Sequence, residues 1–70
     1  MNAALKINGE EKTFEGGLPE TLALLLDGLK IDHATVVAEI DGRIVERKDF
    51  TQTVLKEGQV LELIRFVGGG

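Results

Sequence analysis

Seventy residues carrying eight Lys and Arg against twelve Asp and Glu, for a net charge of −4, make one small domain at most. The acidic balance repels a phosphate backbone, and the three Phe without Trp or Tyr leave little for stacking bases, so nucleic acid is excluded as a partner. Zero cysteines remove disulfides, thiolate metal sites and Cys nucleophiles, so an apolar core has to hold the fold.

Leu5 and Ile7 alternate with Lys6 and Asn8, the period of a strand with one buried face. Asn8-Gly9 suits a primed hairpin turn, and a second strand over about Glu11 to Glu15 points Phe14 inward. Gly16-Gly17 breaks it. Pro19 fits a first helical position and Glu20 a first helical turn. Leu22, Leu25, Leu26 and Leu29 then fall on one helical stripe, with the helix ending at Gly28 or running to about Lys30.

Thr35 to Ile40 is β-branched and apolar, and reads as a strand buried on both faces over part of its length. Asp41-Gly42 is a second hairpin signal leading into Arg43-Ile44-Val45. Glu46 to Lys56 is charged and irregular, with Phe50, Val54 and Leu55 as its apolar anchors. After a turn at Glu57-Gly58, Gln59 to Val67 is the last strand, and the sequence closes on Gly68-Gly69-Gly70. This order, with one long helix, predicts an α+β fold: a β-grasp, ubiquitin-like mixed sheet of about five strands with the helix on one face. Residues 1–67 form the single domain, and 68–70 are expected to be a flexible C-terminal tail.

Strand alternation sends Leu61 and Leu63 toward the helix and Val60, Glu62, Ile64 and Phe66 to the open face. Ile64 and Phe66, with Val67 beside them, are then a candidate partner surface, unless the stretch from Glu46 to Lys56 folds over them. Catalytic side chains are hard to find. His33 is the only histidine, it lies in a polar loop and reads as solvated, and the absence of Ser excludes a Ser-His-Asp set. Asp27, Glu39 and Asp41 read as surface or turn carboxylates, and no metal site is predicted.

The terminal glycines admit two readings. One is a frayed end. In the other the carboxylate of Gly70 is the reactive group, and Gly68 and Gly69, having no side chains, thread a narrow channel in another protein. Fully extended, residues 68–70 reach about 10 Å beyond the last strand. The chain has neither a basic flank before a long apolar run nor an apolar run beyond the five residues Leu22 to Leu26. The expectation is therefore a cytoplasmic protein without a membrane segment.

Three segments, Val37 to Phe50, Leu55 to Leu63 and the Gly69-Gly70 end, resemble the ThiS-type sulfur carrier proteins of thiamine biosynthesis, which are ubiquitin-like. Asp41, Glu46 and Phe50 stand where that family commonly has Asn, Pro and Trp. The resemblance implies a protein co-substrate and not an enzyme. It implies that an E1-like adenylating enzyme (ThiF type), using ATP and Mg²⁺, activates the Gly70 carboxylate, and that the carrier itself binds no cofactor. It further implies a sulfur donor such as a cysteine desulfurase, a thiocarboxylate on Gly70, and a thiazole synthase (ThiG type) that receives the sulfur. Two other functions fit the same outline. One is the small subunit of molybdopterin synthase, or a carrier of another sulfur pathway. The other, of a different class, is a ubiquitin-like modifier or interaction module.

Overall fold

A computed structural model describes residues 2–66. It contains β1 (Asn2–Ile7), β2 (Glu10–Glu15), α1 (Leu22–Gly28), β3 (Val36–Ile40), β4 (Arg43–Val45) and β5 (Val60–Arg65), with 3₁₀ turns at His33–Thr35 and Arg47–Gln52. The sheet order is β2-β1-β5-β3-β4. The first and last strands run parallel at its centre, and every other pair is antiparallel. The fold is the expected β-grasp.

Local chemistry accounts for both hairpins. Asn8 and Asp41 each sit at φ 51°, followed by Gly9 at 84° and Gly42 at 85°. Positive φ at both central residues is the geometry of a primed turn, whose twist matches that of the flanking strands. The core then forms between one sheet face and the helix. Leu5, Ala38, Leu61 and Leu63 from the sheet meet Leu22, Ala23, Leu25 and Leu26 of α1, with Phe50 and Leu55 closing one side.

Three sequence expectations need correction, and the helix end left open by the sequence is settled. Pro19 and Glu20 precede the helix instead of beginning it. The Leu22 N–H donates to the Thr53 carbonyl and the Leu55 N–H to the Glu20 carbonyl, so residues 20–22 are tied in extended form to 53–55. Thr21 is therefore the N-cap, its Oγ1 accepting from the Leu24 N–H at 3.3 Å. At the other end Gly28 is still helical, and Lys30 takes the left-handed conformation at φ 59°. The Lys30 N–H donates to the Asp27 carbonyl and the Ile31 N–H to the Leu26 carbonyl, which is a Schellman stop. Ile31 and Leu26 are both buried. Burying that apolar pair outweighs the local preference for glycine at the stop.

Val54 does not anchor the charged stretch. Its side chain is exposed, whereas Phe50 and Leu55 are buried as expected. β3 is buried only on its helix side, where Val36, Ala38 and Ile40 lie, while Val37 and Glu39 on the other face are half-buried. A single helix covers one face of this sheet and leaves the second open. Strand limits also shift by a residue or so: β2 begins at Glu10, Thr35 belongs to a 3₁₀ turn, and the last strand is Val60–Arg65.

Candidate functional site: the open sheet face and the chain's C-terminal end

β5 places the candidate site, because its residues alternate between core and surface. Leu61 and Leu63 are buried, whereas Val60, Ile64 and Phe66 are 42%, 52% and 61% exposed. Those exposures settle the alternative left open above: Ile64 and Phe66 are not covered. The Arg47–Gln52 turn, which might have folded over them, instead buries Phe50 in the core beside α1.

Cross-strand register extends the surface, since directly paired residues share a sheet face. Val37 pairs with Ile64 and Glu39 with Glu62, while Glu39 also pairs with Ile44 of β4. Ile44, 69% exposed, therefore joins Val37, Ile64 and Phe66 on one face. Sequence reasoning missed Ile44, although the alternation in Arg43-Ile44-Val45 and the turn at Asp41-Gly42 together carry the signal. The Phe66 N–H donates to the Thr35 carbonyl at 2.8 Å. That bond continues the β3–β5 ladder one residue past the strand. Val67, Gly68, Gly69 and Gly70, the rest of the expected site, lie outside the described residues.

Side chains elsewhere offer little chemistry. His33 is not the solvated loop residue expected from sequence. Its Nε2 lies 2.8 Å from Asp27 Oδ1, and its ring stands edge-on to Phe50 with centroids 5.7 Å apart. The contact ties the last turn of α1 to the 3₁₀ turns on either side of β3 and β4. Among the described residues no group of three His, Asp or Glu is arranged to hold a metal ion, and no helix is long and apolar enough to cross a membrane. A surface hollow of about 720 Å³ between Thr13, Phe14, Leu18 and Pro19 is wide open. Its lining brings a single carboxylate, Glu15, and the Thr13 hydroxyl, with no histidine or lysine to activate either.

A β-grasp sheet with one uncovered face that carries exposed apolar side chains, and a central strand followed in the sequence by a glycine end, defines a ubiquitin-like protein. Comparison with known proteins narrows the class. The ThiS family model matches residues 5–70. The crystal structure of the thiamine biosynthesis protein ThiS from Geobacter metallireducens superposes with a TM-score of 0.80 at 35% identity, covering 96% of this chain and 99% of that one. A thiazole synthase of Paramagnetospirillum magneticum is 36% identical over 66 residues, which are 94% of this chain but 20% of that protein. This chain thus spans one fifth of that relative's length. An uncharacterized protein ycf40 of Porphyra purpurea is 30% identical over 69 residues, covering 99% of this chain and 94% of its own. The chain belongs to the ThiS family of ubiquitin-like sulfur carriers.

Proposed function

We propose that this protein carries sulfur for the thiazole ring of thiamine as a thiocarboxylate on Gly70. The observation that carries the reading is the exposure of Ile64 on the open face of β5 and of Phe66 one residue past the strand, a few positions before the glycine end of the sequence. The family match running through residue 70 supports it. An enzyme that must grip a small acidic protein and reach one terminal carboxylate needs such a handle next to the reactive atom.

The chemistry follows from the poor electrophilicity of a carboxylate. At neutral pH the α-carboxyl, with a reference pKa of about 3.3–3.7, is an anion. It attacks the α-phosphorus of ATP in an E1-like adenylating enzyme of the ThiF type, and pyrophosphate leaves. The terminal sulfur of a persulfide, supplied by a cysteine desulfurase, then attacks the acyl carbon, and AMP departs with the C–O electron pair. A thiol cleaves the resulting acyl disulfide, forming its own mixed disulfide and freeing the thiocarboxylate. A thiazole synthase of the ThiG type takes up that sulfur. The relative named thiazole synthase, in which a homologue of this chain makes up one fifth of the protein, supports this choice of partner over the molybdopterin synthase large subunit.

Intact-mass spectrometry tests the proposal directly. Incubation with a ThiF-type enzyme, ATP, Mg²⁺ and a persulfide donor is expected to replace one oxygen of the Gly70 carboxyl by sulfur. An unchanged mass with an enzyme active on its own carrier, or an isopeptide-linked target in place of the thiocarboxylate, would refute it.

The docking face makes its own prediction. Phe66→Ala is expected to weaken binding to the adenylating enzyme roughly tenfold, the usual scale for truncating an aromatic anchor. The melting temperature is expected to stay nearly constant, because Phe66 is 61% exposed. Titration calorimetry checks both partners of the comparison, and equal affinities would remove Phe66 from the contact.

A further inference from the structure

β1 and β5 form the parallel centre of the sheet, yet their pairing in register spans only Lys6↔Val60 and Ile7↔Leu61. The ladder bonds advance two residues at a time, as a parallel ladder requires. The Lys6 N–H donates to the Gln59 carbonyl at 3.0 Å and the Asn8 N–H to the Leu61 carbonyl at 2.9 Å. The next rung belongs to Leu63, but at Asn8 the backbone has already turned into the β1–β2 hairpin, with φ at 51°.

The Asn8 side chain supplies that missing rung. Its Oδ1 accepts from the Leu63 N–H at 2.7 Å, and its Nδ2 donates to the Leu63 carbonyl at 3.2 Å. A carboxamide has the donor and acceptor of a peptide group, so it satisfies both backbone groups that β1 can no longer reach. Asp41, the corresponding residue of the other primed turn, holds the opposite end of the same strand. Its N–H donates to the Val60 carbonyl at 2.8 Å and its Oδ1 accepts from the Val60 N–H at 2.9 Å. Two turn residues with matching φ thus clamp the one strand that leads to the glycine end.

The geometry points to Asn8 as a positioning residue for the carrier's activation, an inference that rests on the sulfur-carrier reading above. Beyond Leu61, β5 is held by β3 on one side and by the Asn8 carboxamide on the other. With Leu63 fixed between them, Ile64 and Phe66 stand at a set spacing on the open face. Without the clamp this end is held from one side only, and the adenylating enzyme must order it on binding. That cost falls on the encounter and not on the chemical step, so KM rises while kcat is kept.

Asn8→Gly separates the clamp from the turn, because glycine adopts positive φ at no steric cost and has no carboxamide. Amide exchange by NMR and pyrophosphate release by a ThiF-type enzyme are measured on the parent and the variant. Losing two hydrogen bonds is expected to speed exchange of the Leu63 amide about tenfold and to raise KM by a similar factor, with kcat within about twofold. Asn8→Asp keeps the acceptor for the Leu63 N–H and loses the donor to its carbonyl. It is expected to retain the amide's protection and to raise KM less, and it serves as the test should Asn8→Gly not fold. An unchanged KM in both variants, or a fall in kcat at constant KM, overturns the proposal. A parent chain that is not adenylated at all overturns the carrier reading and this inference with it, whereas an adenylated parent indistinguishable from Asn8→Gly overturns this inference alone.

Discussion

Deleting Gly70 is expected to abolish adenylation while shifting the melting temperature by less than about 2 °C. The two halves of this result have separate physical origins. Removing one residue draws the terminal carboxylate back by about 3.3–3.6 Å along an extended chain. Reacting atoms must approach to about 3–3.5 Å, and a misplacement of about 1 Å already costs on the order of a hundredfold in rate. A carboxylate short by a whole residue therefore does not reach the α-phosphorus, even though the charge and the docking face are intact. Stability is untouched because glycine has no side chain to bury, and the core is made by residues from Leu5 to Leu63. Pyrophosphate release and a thermal melt on the same sample read both halves. Full activity in the deleted chain would mean that the working atom lies elsewhere, and a large fall in melting temperature would mean that residue 70 packs against the body.

Much of this fold could be read from short-range chemistry in the sequence. Asn8-Gly9 and Asp41-Gly42 mark their hairpins because few other pairs accept positive φ at both positions. The Leu22, Leu25, Leu26, Leu29 stripe locates the helix. The alternation along β5 places Leu61 and Leu63 in the core and Val60, Glu62, Ile64 and Phe66 at the surface, as observed, while Arg65, on the core side of the alternation, is exposed at the strand's end. What escaped the sequence depends on partners distant in the chain. Glu20 looks like a first-turn helix residue until its carbonyl is taken by the Leu55 N–H. Val54 looks like an anchor, but its exposed side chain lies in an extended bridge opposite Thr21. The site follows the same division. Ile64 and Phe66 come from alternation within one strand; the alternation in Arg43-Ile44-Val45 exposes Ile44 too, but placing it on the same face as Ile64 takes the register of three strands. The clamp by Asn8 is hidden in a residue whose turn preference already explains its presence.

Phe50→Ala is expected to produce the largest loss of stability among the single substitutions considered. Phe50 lies in the Arg47–Gln52 turn, where no ladder of sheet bonds holds the backbone, and its ring is only 1% exposed. The ring closes the core beside α1 and receives the edge of His33. Truncating a buried Phe to Ala costs about 3–5 kcal/mol, since the lost transfer energy is joined by that of an unfilled cavity. A chain of this length has in total about 4–10 kcal/mol, at roughly 0.05–0.15 kcal/mol per residue. The substitution therefore removes about 30% of the stability at the least, and in the unfavourable case all of it. At about 4–8 °C per kcal/mol for so small a domain, the melting temperature drops by more than about 12 °C. Phe50→Leu keeps most of the apolar volume and is expected to lose less. Val54→Ala, only a few residues along the same segment but 56% exposed, is expected to stay within about 0.5 kcal/mol of the parent. Urea titrations of the three variants give the comparison at constant m-value. Equal midpoints for Phe50→Ala and Val54→Ala would show that the turn can detach without cost and that the core closes without it.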